Sequence, residues 1–206
     1  MRKLLILVVV LLGILAALDV ATRVAMQHQL EQRIDGYVPN AGASVTIHGF
    51  PWLPRLASSG RVKEITARAN QVSQGAFVLN DVVVTVTGVR IDRHLLVEHG
   101  QLEIVSIGTG TLTADMTQAN FDQLVGAPVV LGAGSAQVTV EGVSVTAQVS
   151  VVNGQLQLNA AGLPVSVPIP TLPVLPCLAQ VKVVPGHLVA SCTFHTIPAA
   201  LKTALQ

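Results

Sequence analysis

The sequence predicts an α+β, β-rich fold: a long, curved antiparallel sheet packed on short helices, behind an N-terminal membrane helix. Three observations carry this reading. Apolar residues recur at period two through most of the chain after residue 43, the spacing of half-buried strands. Pro-Gly and Asn-Gly signals punctuate those runs at hairpin distances. An unbroken apolar stretch opens the chain.

Arg2 and Lys3 precede Leu4 to Leu18, a nearly wholly apolar run that Asp19 ends. A short basic region before such a run is an export signal. It is short for a membrane span, which needs about 20 residues. The basic flank keeps the N-terminus cytoplasmic and sends the remainder across. Ala16-Ala17-Leu18 and Asp19-Val20-Ala21 both match a cleavage site poorly, so an uncleaved anchor is favoured over a cleaved signal peptide, and both stay open. The chain divides into the leader at 1–18, a juxtamembrane helix at 19–36 and one β-rich domain at 37–206. Val20, Val24, Leu30 and Ile34 share a face of that helix, and Gly36 and Pro39 stop it.

From Ala43, Val45 and Ile47 alternate with Ser44, Thr46 and His48 as a half-buried strand. Gly49 to Leu56 interrupts it as a turn and a short helical segment ending before Gly60. Ile65, Ala67 and Ala69 alternate with Thr66, Arg68 and Asn70 in the next strand. Phe77 to Val89 follows, with Val82, Val84 and Val86 on one face and Val83, Thr85 and Thr87 on the other. Leu102, Ile104 and Ile107 form another, and Thr111 to Ala114 precedes a helix of about ten residues. Asp115 or Thr117 caps that helix, and Phe121, Leu124 and Val125 form its apolar stripe. Ser135 to Ala160 reads as one hairpin turning at Asn153-Gly154, with a phase shift at Glu141-Gly142 that predicts a β-bulge. Pro164, Pro168, Pro170, Pro173 and Pro176 exclude a central strand or helix and predict extended chain across the surface. Pro198 to Leu205 reads as a short C-terminal helix.

Cys177 and Cys192 flank a hairpin that turns at Pro185-Gly186, which brings them together on adjacent strands. In an exported protein this predicts a disulfide, with two buried free thiols as the alternative. A pair so joined leaves no thiolate for a metal.

Half of the chain is hydrophobic, 3% aromatic and 11% charged, with net charge +1. That balance carries no basic field for nucleic acid. Beyond residue 100 the only charged side chains are Glu103, Asp115, Asp122, Glu141, Lys182 and Lys202. Either the exposed faces use Thr, Ser, Gln and Asn in place of charge, or some apolar faces line a lipid-sized cavity. The six histidines show no metal-ligand spacing, and no nucleophile and base are placed together. The chain reads as a non-enzyme without cofactor or metal.

Gly49-Phe50-Pro51-Trp52-Leu53 is the most specific motif. Two aromatics with Leu53 and Leu56, in a chain with six aromatics, are costly unless buried or meeting a partner. They are either a corner plug over the open end of the sheet or the rim of an apolar cavity. With the helix Asp19-Val20-Ala21-Thr22-Arg23-Val24-Ala25 before it, Gly60-Arg61-Val62-Lys63-Glu64-Ile65 after it and the Val-Thr-Gly-Val run at 86–89, this order resembles the LmeA-like family of actinobacterial cell-envelope phospholipid-binding proteins. The resemblance covers about residues 10–195. The chain departs from the family pattern in its cysteine pair and its proline-rich 164–176 segment.

The resemblance implies a fold similar to tubular lipid-binding (BPI-like) modules and a role in lipid handling or envelope glycolipid (lipomannan) biosynthesis. The partners it implies are a phospholipid, anionic by preference, and the membrane. An adaptor for an envelope glycosyltransferase is the alternative. The lipid-contacting candidates are Phe50, Trp52, Leu53, Leu56, Val84, Val86, Phe121, Leu124 and Val125. Arg55 and Arg61 are the head-group candidates, with Arg90 and Arg93 as further available cations.

Overall fold

The structure is a computed structural model. It describes residues 2–37, 41–49, 52–74, 77–92, 94–95, 98, 103–140, 142–152, 155–160, 163–168, 177 and 180–197. The leader and juxtamembrane helix form one helix, α1 (Arg2–Tyr37). Among the described residues no helix is long and apolar enough to cross a membrane. The expected N-terminal membrane helix is therefore not confirmed. The expected C-terminal helix and residues 169–176 of the proline-rich segment lie outside the described residues.

The remaining chain forms two antiparallel sheets. The larger contains β1 (Ser44–His48), β2 (Arg61–Gln74), β3 (Phe77–Ile91), β4 (Ile104–Ser106), β5 (Thr109–Thr117), β11 (Gln180–Val184) and β12 (His187–Phe194). Its order is β1-β2-β3-β5-β12-β11, with β4 on β3. The smaller contains β6 (Val129–Leu131), β7 (Ala136–Val140), β8 (Val143–Val152), β9 (Gln155–Ala160) and β10 (Leu163–Pro168), in the order β10-β9-β8-β7-β6. Helix α2 (Trp52–Ser59) links β1 to β2, and α3 (Gln118–Val125) links β5 to β6.

Two expectations are corrected. Ser135 to Ala160 is a three-strand meander, because Val140 pairs with Val143. The chain thus turns between Val140 and Val143, where a bulge within one strand was expected. Both devices change the phase of an alternating run, so the local pattern does not separate them. The proline-rich segment is not free extended chain throughout, since Leu163–Pro168 pairs with β9 as the edge of the smaller sheet. An edge tolerates Pro164 and Pro168 because one side of the strand needs no N–H donor.

Caps and turns agree with the sequence. Thr117 is the N-cap of α3, its hydroxyl accepting the Asn120 N–H, and Gly126 closes the helix. Val184 pairs with His187 across Pro185-Gly186. That turn joins the sheets: the Gly186 N–H donates to the Leu131 carbonyl at 3.0 Å, and the Gly134 N–H to the Val183 carbonyl at 3.1 Å.

The larger sheet has one polar and one apolar face. Register aligns Thr46, Thr66, Thr85, Thr111 and Thr193 across five strands on the outer face. The rows on either side are apolar and face inward: Val45, Ala67, Val84, Leu112 and Cys192, then Ile47, Ile65, Val86, Gly110 and Phe194. Two features of β3 hold its apolar residues on that inner face. The register with β5 shifts between Asn80 and Val83, where Asp81 has φ 45°. This extra residue puts Leu79 and Val82 on the same side. Gly88, at φ 64°, shifts the phase again, so Val89 and Ile91 are buried as well.

Candidate functional site

The inner face of the larger sheet is covered at both ends and less so between them. At one end Leu56 of α2 packs with Ile47, Val62, Val89 and Ile91, and Met26 and Leu30 of α1 lie against this cluster. At the other end the smaller sheet and α3 form the largest cluster, in which Phe121 meets Met116, Leu156, Leu158, Val183 and Leu188. Between them Ala67, Ala69, Val82, Val84 and Val86 are only half-buried. Side chains at the centre of a six-strand run are normally buried where a second layer covers them. These five form an apolar strip that no described element seals.

From Val86 to Leu79 the strip spans seven residues, about 23 Å. One hydrocarbon leaflet is about 15 Å deep. The strip is therefore long enough for an extended acyl chain. On one flank Leu112, Ala114, Cys192 and Phe194 are buried, with Cys177 against them. The Phe194 ring lies directly over Gly110: a Cβ there would sit 2.1 Å from its Cε2. Glycine at 110 is what lets the ring lie flat against β5.

Cys177 and Cys192 form a disulfide with a Cα–Cα distance of 5.8 Å. Cys177 precedes β11 rather than lying on it, so the bridge ties the incoming segment to β12. A pocket of about 470 Å³ opens beside it, lined by Cys177, Gln180, Ser191, Cys192, Thr193, Phe194, His195 and Thr196. It meets the apolar face through Cys192 and Phe194.

The candidate lipid-contacting residues take distinct positions. Val84 and Val86 lie on the strip. Leu56 is buried in the cluster that closes one end, and Val86 packs against that cluster. Phe121 is fully buried at the opposite end, with Leu124 and Val125 half-buried beside it. Leu79 bridges the strip and that end, since it packs in both neighbouring clusters. Trp52 and Leu53 lie in α2, their side chains outside the described residues, as Phe50 is altogether. Arg55 and Arg61 are exposed, and Arg61 pairs in register with Arg90; Arg93 lies outside the described residues. Sequence reasoning missed Ala67, Ala69 and Val82 as strip residues. Their small-residue alternation was visible, but nothing local says that such a face is left uncovered.

The described polar groups do not assemble a catalytic centre. His187 Nδ1 lies 2.8 Å from Asp115 Oδ1, with both side chains partly exposed; the hydroxyl opposite His187 in register, Thr117, is engaged as the N-cap of α3. Among the described residues no three His, Cys, Asp or Glu side chains group as metal ligands. Comparison with curated proteins and with solved structures found no match. The family model described as LmeA-like phospholipid-binding matches residues 17–192, a span that runs from α1 through both sheets to Cys192. With most of its length matched in this way, the chain belongs to the LmeA-like phospholipid-binding family.

Proposed function

We propose that this protein holds phospholipid acyl chains against the inner face of its larger sheet, as a non-catalytic lipid carrier of the cell envelope. The half-buried strip of Ala67, Ala69, Val82, Val84 and Val86 between two covered ends carries the reading. Every 100 Å² of apolar surface that lipid removes from water returns about 2.5 kcal/mol, before the cost of ordering the chains. No charged clamp is needed for retention, which suits a strip without ionisable groups. In this reading the N-terminal apolar run tethers the protein at the extracytoplasmic face or exports it. Its lipid handling supports envelope glycolipid, including lipomannan, synthesis. Anionic lipids are preferred, with Arg55 and Arg61 as available head-group partners.

Native mass spectrometry of protein purified without added lipid tests the proposal. Co-purified phospholipid is the expected result. Trp52 is the only tryptophan, so its emission should also shift on adding anionic phospholipid. Leu124→Asp should reduce retention more than Arg55→Ala, because apolar burial supplies most of the affinity. Protein that carries no lipid and responds to none would instead fit an adaptor for an envelope glycosyltransferase.

A further inference from the structure

Arg61 and Arg90 face each other across β2 and β3, and both are exposed. Directly opposed side chains have Cβ atoms about 5 Å apart, and like charges there repel. Lys63 is exposed two residues along β2. Among the described residues no carboxylate is within ion-pair reach of these three. The neighbouring acids are engaged elsewhere: Glu64 with His48 at 3.4 Å, and Glu98 with His94 at 3.7 Å. Asp92 Oδ1 accepts the backbone N–H groups of His94 and Leu95. Glu103 lies beyond β3, where its carbonyl accepts the Asp92 N–H. Among the described residues, the sheet thus keeps three cations together at one end with no carboxylate paired to them.

The course of α1 says what lies beyond that end. After α1 the chain returns at Ala41, whose carbonyl accepts the Asn70 N–H near the middle of β2. Glu31 Oε1 accepts the Val45 N–H at 2.9 Å. Met26 and Leu30 pack on the cluster of Ile47, Val62 and Val89. Read backwards from Ala41, α1 therefore runs alongside β1 towards Arg61 and Arg90. Val45 pairs with Ala67, and Arg61 lies six residues further along β2, about 20 Å. Leu18 lies thirteen residues before Glu31, also about 20 Å along the helix. Leu18 is consequently level with the arginine pair, and residues 2–17 continue about 24 Å past the end of the sheet. Leu18, Val20 and Val24, on the stretch leading there, are half-exposed apolar side chains.

We infer that Arg61, Lys63 and Arg90 form a docking surface for an anionic membrane leaflet, seating the sheet end-on against the bilayer that the apolar part of α1 enters. The inference rests on the membrane-tethered reading above. It adds an orientation: the strip on the larger sheet stands over the membrane with its Leu56 end nearest the lipid. Opposed arginines fit this role because closely spaced phosphates relieve their repulsion, and guanidinium groups pair with phosphate in two-point fashion.

The test uses the full chain and vesicles of two kinds, pure phosphatidylcholine and phosphatidylcholine containing phosphatidylglycerol. Each basic residue close to an anionic surface raises partitioning about fivefold. The wild-type chain should bind the anionic vesicles more tightly, and Arg61→Gln/Arg90→Gln should lower that preference about 25-fold while binding to neutral vesicles stays the same. Arg61→Lys/Arg90→Lys should retain most of the preference. Arg68→Gln, nearer the middle of the sheet, should leave it intact. A folded double Gln variant with the full preference, or a wild-type preference that survives high salt, would overturn the docking surface. The wild-type salt dependence decides the point even if that variant fails to fold. Co-purified lipid, measured on the same samples, reports separately on the acyl-chain strip.

Discussion

A carboxylate on the strip should separate lipid holding from folding. Val84 lies between Ala67 and Leu112 in register and is half-buried in the lipid-free protein. Complete burial of a valine side chain is worth about 1.5–3 kcal/mol, so covering the part of Val84 still exposed contributes at most about 1 kcal/mol to lipid retention. Val84→Asp removes that gain and places an unpaired charge beneath an acyl chain, at an effective cost of several kcal/mol. Together these exceed about 4 kcal/mol, a loss of retention of roughly a thousandfold. In the lipid-free protein the same carboxylate reaches water through the open side, so destabilisation should stay near 1–2 kcal/mol. Thr85→Asp is the matched control: it is the next residue in the chain and faces outward in the threonine row. Native mass spectrometry gives lipid occupancy, and thermal unfolding gives stability. Val84→Asp should be folded and empty, Thr85→Asp folded and loaded. A folded Val84→Asp protein carrying as much lipid as wild type would place the acyl chains elsewhere and refute the argument.

Other outcomes follow from single contacts. Thiol labelling of denatured, unreduced protein should find no reactive cysteine, and Cys177→Ser/Cys192→Ser should lose about 3 kcal/mol, the chain-entropy value for a loop of about 15 residues; calorimetry measures it. Gly110→Ala drives a Cβ into the Phe194 ring, and the repacking should cost about 1–3 kcal/mol in denaturant unfolding. Phe121→Ala, at a fully buried site, should cost about 3–5 kcal/mol and lower the melting temperature. N-terminal mapping of the mature protein should find the leader retained and the protein in the membrane fraction after a high-salt wash; an N-terminus near Asp19 would show cleavage.

Several elements of the fold were legible locally. Period-two alternation placed β1, β2, β3 and the β11–β12 hairpin. Asp115 or Thr117 as a cap, followed by an apolar stripe, marked α3, with the structure choosing Thr117, and the cysteine spacing across Pro185-Gly186 marked the disulfide. In each case the signal and its structural effect lie within a few residues, so chain order alone brings the partners together. The family motifs were equally local.

Tertiary structure alone decided which strands share a sheet. Nothing near Thr109–Thr117 announces that β5 joins β3 to β12, because that pairing depends on contacts distant in sequence. The phase changes at Asp81 and Gly88 are similar: a non-glycine at positive φ and one glycine keep Leu79, Val82, Val86 and Val89 facing inward, while simple alternation would turn some of them out. The reversal between Val140 and Val143 produces the same phase shift as a bulge, and Pro164 and Pro168 proved compatible with pairing at an edge. The strip itself was the least legible feature. Alternation shows that Ala67, Val82 and Val84 share an apolar face, yet whether that face is covered depends on where α1, α2 and the smaller sheet come to rest. Burial is a property of the neighbours as much as of the residue.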